Sequence, residues 1–303
     1  MCTAINTNNN LHLFGRTLDF EHSFGQEIVS TPRNYMQGDI TCTYSIIGAA
    51  KAVGDAILFF DGMNEKGLCG AALNFPGYAV YHPEREGMTN LASYQLLPYI
   101  LGRCESVKEA RLILEKTSIT PKSFSSDMPS TPLHWIFADR GEAITVESLK
   151  DGLKIYENPL GILTNSPTFD YHMIRLADYM NMTADYPENS LTACTLSHYS
   201  RGMGAIGLPG DFSSSSRFVR AAFLLKNTKF GETDADSFFH IMDSLSVPDG
   251  CVRTVSGEPV RTIYTSCACT NDLTYRYTTY ENRSIREVRL DPTDKKMKRY
   301  SMN

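Results

Sequence analysis

Alternating apolar and polar residues fill the N-terminal quarter of the chain and predict β-strands there. The segment Leu11–Phe20 alternates in this way, and Gly15 within it indicates a bulge or the close approach of another backbone. An Asn64-Glu65-Lys66-Gly67 turn precedes the last of these strands. The other predicted strands are Gln26–Ser30, Thr43–Gly48 and Gly67–Asn74.

Helical periodicity replaces this alternation farther along the chain. It predicts a helix over Thr89–Arg103, and the capping box Ser106-Val107-Lys108-Glu109 predicts a second helix that ends near Thr117. Later helices are predicted at Phe169–Met180, where Thr168 is the cap, at Ser215–Lys226 and at Asp234–Leu245.

Strands return between and after these helices. The Arg140-Gly141 and Asp151-Gly152 turns join a predicted meander of the strands His134–Asp139, Glu142–Leu149, Leu153–Glu157 and Gly161–Thr164. The last predicted strands are Val260–Thr270, Leu273–Tyr280 and Ile285–Leu290. Strands and helices come in blocks, without an internal repeat or a linker rich in Gly, Pro or Ser. This order favours antiparallel sheet packed against helices in one domain.

Composition narrows the functional classes. The 303 residues are 42% hydrophobic and 21% charged, which is typical of an ordinary soluble globular protein. A net charge of -5 argues against binding to nucleic acid or to an anionic membrane surface. No apolar run approaches the ~20 residues that span a bilayer, and the N-terminus lacks the basic and apolar regions of a signal peptide. We therefore expect a cytoplasmic protein without membrane insertion.

The eight cysteines are expected to be reduced and mostly buried in such a protein. The Cys267-Ala-Cys269 pair is spaced too closely for the usual C-x₂₋₄-C zinc pattern, and no second pair lies nearby. Both sulfurs face one side of a predicted strand, which favours core packing over a metal or redox site. No metal site is predicted.

Cys2 is the candidate nucleophile. Its small side chain permits removal of Met1, which would leave one residue with a thiol of pKa about 8.5 and an α-amine of pKa about 7.7–8.0 that can accept the thiol proton. Arg16 could lower the pKa of the thiol and Asp19 could hold the amine. Their odd spacing places them on opposite faces of a regular strand, so both approach Cys2 only where the strand bulges or ends. The alternative for Cys2 is that a cysteine stands at this position by accident. The alternative for Arg16 and Asp19 is a surface ion pair or a solvated strand edge.

Longer segments supply the context. The opening Met1-Cys2-Thr3-Ala4 and the segment Phe14-Gly15-Arg16-Thr17-Leu18-Asp19 resemble the choloylglycine hydrolase family of N-terminal nucleophile hydrolases. The matching segments occur in the family's order over nearly the whole chain. The others are Asp61–Leu68, Leu73–Tyr78, Pro132–Trp135, Leu163–Asp170, Gly207–Phe212 and Ser216–Phe218.

The resemblance implies an α+β fold of the four-layer αββα type with antiparallel sheets, a single domain over residues 2–303, and amide hydrolysis without metal or cofactor. It implies that Cys2 is nucleophile and base, with Arg16 and Asp19 beside it. By the same resemblance, the Asn165 side chain and the Asn74 backbone N–H would stabilise the oxyanion, and Arg217 would complete the polar network.

Asn74, within Leu73-Asn74-Phe75-Pro76-Gly77, resembles the branch of the family that prefers conjugated bile salts; tyrosine is usual here in the penicillin branch. A steroid needs a broad apolar wall, and the candidates are Leu18, Phe59, Phe60, Leu133 and Ile136, with ordinary core packing as the alternative for each. The rival functions are a penicillin V acylase or another N-acyl amide acylase, and a catalytically silent binder of amphipathic ligands.

The segment from Asn181 to Gly204 resembles the loop through which family members form tetramers, so a homotetramer is expected. It is longer than most loops, which favours a binding or assembly role over a plain surface excursion. Its candidate anchors are Tyr186, Leu191, Leu196 and Tyr199.

Overall fold

The computed structural model describes residues 1–231 and 235–302. The strands are β1 Cys2–Asn8, β2 His12–Phe20, β3 Glu27–Thr31, β4 Tyr35–Gln37, β5 Ile40–Cys42, β6 Ile46–Val53, β7 Ala56–Phe59, β8 Asp61–Asn64, β9 Cys69–Asn74, β10 Thr89–Ala92, β11 Thr117–Thr120, β12 Leu133–Ala138, β13 Ala143–Leu149, β14 Gly152–Glu157, β15 Ile162–Leu163, β16 Val252–Arg253, β17 Pro259–Cys269, β18 Thr274–Thr279, β19 Arg286–Arg289 and β20 Lys298–Ser301. The α-helices are α1 Ser93–Leu101, α2 Val107–Leu114, α3 Phe169–Leu176, α4 Ser214–Asn227 and α5 Asp236–Asp243. The expected start of the last helix, Asp234, lies outside the described residues.

Two large antiparallel sheets form the centre of the molecule. The first has the order β15-β1-β2-β17-β18-β19, with β16 on β17, and the second the order β14-β13-β12-β9-β8-β6-β3-β20, with β7 on β6. Within the first sheet, a Cβ atom at Gly15 would collide with the carbonyl of Ser266. The close backbone approach expected at this glycine is therefore confirmed.

Helices cover the outer face of each sheet. α1 and α2 pack on the second sheet, whereas α4 and α5 pack on the first and α3 packs on α4. One apolar cluster includes Trp135 and Phe137 with the leucines of α1, and the other includes Ile136 with residues of the first sheet and of α4 and α5. Neighbouring residues of β12 thus face different layers, as alternation along a doubly covered strand requires. The expected αββα fold is confirmed.

Two sequence-based assignments are wrong in a way that matters for the site. Thr89–Ala92 is a strand paired in parallel with β11, so the helix begins only at Ser93. The expected fourth strand of the meander, Gly161–Thr164, contains β15, which pairs with β1 in the other sheet. Local periodicity cannot distinguish these outcomes, because the sheet that a short strand joins depends on residues distant in sequence.

The Ser106 cap of α2 is confirmed, but the reciprocal bond of a capping box, from Ser106 N to Glu109, is replaced by one from the preceding residue. Ser106 Oγ accepts a hydrogen bond from Glu109 N (3.4 Å), and the Glu109 carboxylate accepts one from Glu105 N (2.8 Å). α2 ends at Leu114, earlier than expected. In the part of the chain that the structure describes, no helix is long and apolar enough to cross a membrane.

Candidate active site

Cys2 begins β1, an inner strand of the first sheet that lies between β15 and β2. It pairs with Leu18, and Ala4 pairs with Arg16. Directly opposite residues project to the same face of a sheet, so these side chains share the face that looks toward the second sheet. Cys2 is only 2% exposed. The register alone therefore brings the Arg16 side chain to the face of the thiol.

Arg16 crosses the gap between the two sheets and is fully buried. Its Nη1 donates to the carbonyls of Phe60 (3.1 Å) and Ala72 (2.6 Å) on the second sheet, and its Nε donates to Thr17 O (3.1 Å). Burial lowers the pKa of Arg16, but the nearby Cys2 thiol and further acidic groups raise it by more, so the guanidinium remains charged. Nη2 has no hydrogen-bond partner among the described residues. A fixed positive charge therefore stands beside the thiol.

Asp19 lies on the opposite face of β2, as its spacing from Arg16 predicts. Its carboxylate accepts hydrogen bonds from Thr262 Oγ1 (2.6 Å) and Thr17 Oγ1 (3.1 Å). The ladder between β2 and β17 shifts register just after Thr262, because Ile263 is an extra residue on β17. β2 itself continues without a bulge to Phe20, one residue beyond Asp19. The backbone of Asp19 also holds the terminus, because its N–H donates to Met1 O (2.9 Å) and its carbonyl accepts from the Met1 amine (2.6 Å).

Asn165 follows β15 and is 7% exposed. Its Oδ1 accepts hydrogen bonds from Cys2 N (2.7 Å) and Arg217 Nη2 (2.8 Å), and its Nδ2 donates to Asn74 O (2.8 Å). Two donors on the oxygen fix the orientation of the amide. Nδ2 carries a second hydrogen besides the one donated to Asn74 O.

Asn74 ends β9 and pairs with Leu133 of β12. The next residue, Phe75, donates from its N–H to Pro132 O (2.8 Å). Because hydrogen-bonded and non-hydrogen-bonded pairs alternate along antiparallel strands, the Asn74 N–H points away from β12. Its carbonyl receives the Asn165 bond on that same side. The structure therefore directs the backbone N–H of Asn74 and the side-chain amide of Asn165 toward one region.

Arg217 reaches this region from α4 and is fully buried. Its Nη1 donates to Thr3 Oγ1 (2.5 Å) and to the carbonyl of Cys2, and its Nε donates to Phe212 O (3.0 Å). Burial lowers the pKa of Arg217, against the opposing effect of Asp19 and Cys2. These bonds anchor the start of β1 and the Asn165 amide to one guanidinium.

A cavity of about 230 Å³ opens on the side of Cys2 that faces the second sheet. Of the five predicted wall residues, Leu18, Phe59, Phe60 and Leu133 line it. Ile136 does not line the cavity. Its side chain is fully buried in the apolar cluster that joins the second sheet to the first. Leu133 and Ile136 are separated by an odd number of positions on β12, so they project to opposite faces.

Further residues of the cavity were not foreseen. They include Phe20, Phe24, Leu58, Tyr94 and Leu97. The Phe20 and Phe24 rings lie 4.8 Å apart, and Phe24 lies 5.4 Å from Phe60, which makes a continuous aromatic wall. A second cavity of about 320 Å³ adjoins the first, and Phe24, Phe60 and Leu133 line both. Of this aromatic wall, the sequence predicts Phe60 but not Phe20, the last residue of β2, or Phe24, four positions later.

Comparison with known proteins agrees with this geometry. The family model for linear amide C–N hydrolases of the choloylglycine hydrolase family matches residues 2–298. The chain belongs to the choloylglycine hydrolase family. Members of this family are hydrolases of linear amides, and the cysteine, buried arginines and convergent amide donors described above lie within the matched residues.

Individual family members are similar over almost their full lengths. A bile salt hydrolase/transferase of Lactiplantibacillus plantarum is 42% identical over 96% of this chain and 93% of its own, and one of Clostridium perfringens is 41% identical over 95% and 92%. The crystal structure of a mutant conjugated bile acid hydrolase from Clostridium perfringens superposes with a TM-score of 0.93, covering 100% of this chain and 97% of its own at 38% identity. A penicillin V acylase from Agrobacterium tumefaciens, 22% identical with a TM-score of 0.78 over 100% and 92%, shares the fold.

The donor set around Cys2 consists of arginines, amides and hydroxyls. Within residues 1–231 and 235–302, no group of three or more His, Cys, Asp or Glu residues is arranged to hold a metal ion. Cys267 and Cys269 are both buried in the apolar core, and Cys69 lies in the same cluster. Burial raises the pKa of each of these thiols above its ordinary value, which disfavours the thiolate.

Proposed function

We propose that this protein hydrolyses the amide bond of glycine- or taurine-conjugated bile salts, with Cys2 as an N-terminal nucleophile. The observation that carries the proposal is the position of Cys2 between a polar cluster that ends in convergent amide donors and an aromatic cavity. The family membership and the bile-salt activities named for relatives at 41–42% identity support the same substrate class.

Removal of Met1 would convert Cys2 N into the α-amine. In acylation, this amine takes the thiol proton, and the thiolate attacks the carbonyl carbon of the amide. The electron pair of the carbonyl moves to its oxygen, which Asn165 Nδ2 and the Asn74 N–H stabilise. Collapse of this intermediate breaks the C–N bond, and the leaving amine takes the proton from the ammonium. Glycine or taurine departs and the bile acyl group remains on sulfur as a thioester.

Deacylation uses the same groups. The α-amine removes a proton from water as the water oxygen attacks the thioester carbon, and the same donors stabilise the second oxyanion. Collapse breaks the C–S bond, the sulfur recovers its proton from the ammonium, and the free bile acid leaves. In this scheme Arg16 stabilises the thiolate, Asp19 secures the terminus, and Arg217 orients the Asn165 amide.

The cavity supports a steroid in preference to a smaller acyl group. Leu18, Phe59, Phe60 and Leu133 present apolar surface beside the thiol, and the second cavity extends that surface. Burial of apolar area contributes about 25 cal/mol per Å², so a rigid steroid gains more here than a phenoxymethyl group. Such remote binding energy orients the amide against Cys2 and appears in kcat/KM.

Glycocholate, taurocholate and penicillin V assayed under identical conditions test the substrate class. We expect kcat/KM for at least one bile salt to exceed that for penicillin V by about tenfold or more, which is about 1.4 kcal/mol. A penicillin V value equal to or above both bile salts would reject the bile-salt assignment and retain the amidase. No cleavage of any of the three would favour a silent binder.

We further propose a cytoplasmic homotetramer assembled through residues 181–204. This segment exposes Leu191 (90%) and Tyr199 (80%), together with Tyr186 and Leu196. Large apolar side chains presented together on a surface are typical of protein–protein contacts. Light scattering of the wild-type protein and of a Leu191→Asp, Tyr199→Asp double variant tests this, with a smaller assembly expected for the variant.

A further inference from the structure

A set of buried polar contacts lies beneath Asn165 and has no part in the reaction steps above. Its centre is His134 on β12, which stands directly opposite Glu147 on β13. Neither side chain has any solvent exposure. Buried polar groups of this kind are costly unless they are hydrogen bonded, so their partners indicate which parts of the chain they hold.

His134 contacts both segments that supply the proposed oxyanion donors. Its Nε2 lies 3.1 Å from Thr164 O, the carbonyl of the residue before Asn165. Its ring stacks on Phe75, the residue after Asn74, with centroids 4.3 Å apart and planes 9° from parallel. A single imidazole therefore joins the end of β9 in the second sheet to the chain that leaves β15 in the first.

Glu147 secures the same segment from its other end. Its Oε1 lies 3.3 Å from His134 Nδ1 and also accepts a hydrogen bond from Phe169 N (3.0 Å), at the start of α3. Within the first turn of that helix, His172 Nε2 donates to Asn165 O (2.8 Å). His134 thus holds the start of the segment 164–169 and Glu147 holds its end, and the contact between the two side chains links both ends.

The hydrogen bonds fix how many protons the pair holds. Thr164 O can only accept, so His134 Nε2 carries a proton, and the contact between Nδ1 and the Glu147 carboxyl requires a second. The pair therefore shares two protons and is neutral overall. Removal of either partner leaves the other buried without its counterpart, which is costly for a polar group with no solvent exposure.

We propose that His134 and Glu147 are positioning residues for the oxyanion site. Acting as one hydrogen-bonded unit, they hold Asn165 and Asn74 so that the two amide donors converge beside Cys2. This inference rests on the proposed function, because it assigns no contact with substrate to either residue. Misplacement of a reacting group by about 1 Å costs about 10²-fold in rate, which sets the size of the expected effect.

The test compares His134→Phe, Glu147→Gln and the double variant with the wild type. Phe keeps the planar ring on Phe75 but donates nothing, and Gln keeps the shape of Glu147 without its charge. We expect each single variant to lower kcat for glycocholate by about 10–100-fold with KM changed less than about threefold. The double variant should be no slower than the slower single variant, because the residues act as a unit.

Alkylation of Cys2 by iodoacetamide separates positioning from general damage, since this reaction forms no oxyanion. It is followed on the N-terminal peptide by mass spectrometry, because Cys194 and Cys251 are also exposed. We expect its rate to stay within about twofold of wild type in all three variants. ¹⁵N spectra should show a proton on Nε2 of His134 in the wild type, assigned by its loss in His134→Phe.

Asn158→Ala is the matched control, since Asn158 is buried and bonds Thr145 Oγ1 and Ile162 O at the other end of β15. Its kcat should remain within about threefold of wild type. Folded variants with unchanged kcat, a parallel loss of kcat and alkylation rate, or an unprotonated Nε2 on His134 would each overturn the inference. If the wild type cuts penicillin V but no bile salt, the proposed function fails while the same kcat comparison on penicillin V still decides the positioning role; a wild type that cuts none overturns both.

Discussion

The two sides of Cys2 differ in the kind of contact that forms them. On one side, Arg217 and Asn165 are tied by directional hydrogen bonds to fixed partners, and each bond determines where a charge or donor points. On the other side, Phe60 and Leu133 bound an open cavity through contacts that have no preferred direction. The first arrangement suits chemistry common to every amide, whereas the second suits selection among acyl groups. Substitutions on the two sides should therefore affect different kinetic constants.

Blocking the terminal amine should have the largest effect on the polar side. A glutamate inserted between Met1 and Cys2 prevents exposure of the cysteine amine and removes the proposed base, so kcat should fall by about 10²–10⁴-fold for every substrate. Intact-mass measurement should show the active wild-type protein beginning at Cys2. Full activity in material that still carries Met1 would contradict the role of the amine.

Asn165→Ala should come next. Loss of one oxyanion donor is expected to lower kcat by about 10²–10³-fold on bile salts and on penicillin V alike. Asn64→Ala is the control, because Asn64 is a buried asparagine whose Nδ2 also donates to backbone carbonyls, here those of Leu101 and Cys104, and Asn64 does not line the cavity beside Cys2. A folded Asn165→Ala variant that keeps more than about a third of the wild-type kcat would place the oxyanion site elsewhere.

Phe60→Ala tests the apolar side. The lost wall should reduce kcat/KM for glycocholate by about tenfold or more, because truncation of a large apolar side chain removes several kcal/mol of packing, and penicillin V should be affected less. The ratio of the two kcat/KM values is the measurement. An equal loss on both substrates would mean that Phe60 supports Cys2 or Arg16 and does not select the acyl group.

Ile136→Val should have the smallest effect and serves as the test of its reassignment to the core. We expect the free energy of unfolding to fall by about 0.5–1.5 kcal/mol, measured by denaturant titration, with kcat and KM unchanged. Leu133→Val is the paired variant, because Leu133 lies on the same strand but projects to the opposite face and lines the cavity. It should change KM for bile salts. A KM change in Ile136→Val would return this residue to the cavity wall.

The candidate nucleophile could be predicted from the sequence more completely than the residues of the cavity wall. Cys2 was a candidate because a cysteine after an initiator methionine can expose both a thiol and an α-amine, but by itself it left an accidental cysteine open. The resemblance of the surrounding segments to the family supplied the assignment of Cys2, Arg16 and Asp19. The wall was harder to foresee, since apolar residues on strands pack into cores and cavities with the same local pattern. Leu133 and Ile136 illustrate this: both were assigned to the wall, and their facing on β12 separated them.

Local sequence by itself determined the elements with strong local signals, such as the Ser106 cap of α2 and the alternating strand that became β2. Tertiary structure decided which sheet each short strand joined. The local pattern of β15 predicts the continuation of a meander, but its pairing with β1 brings Asn165 to Cys2 across 163 residues of chain. It also decided that His134 and Glu147 meet below Asn165. The physical reason is that hydrogen bonds and ring contacts between distant segments depend on how the layers stack, and no local periodicity records that stacking.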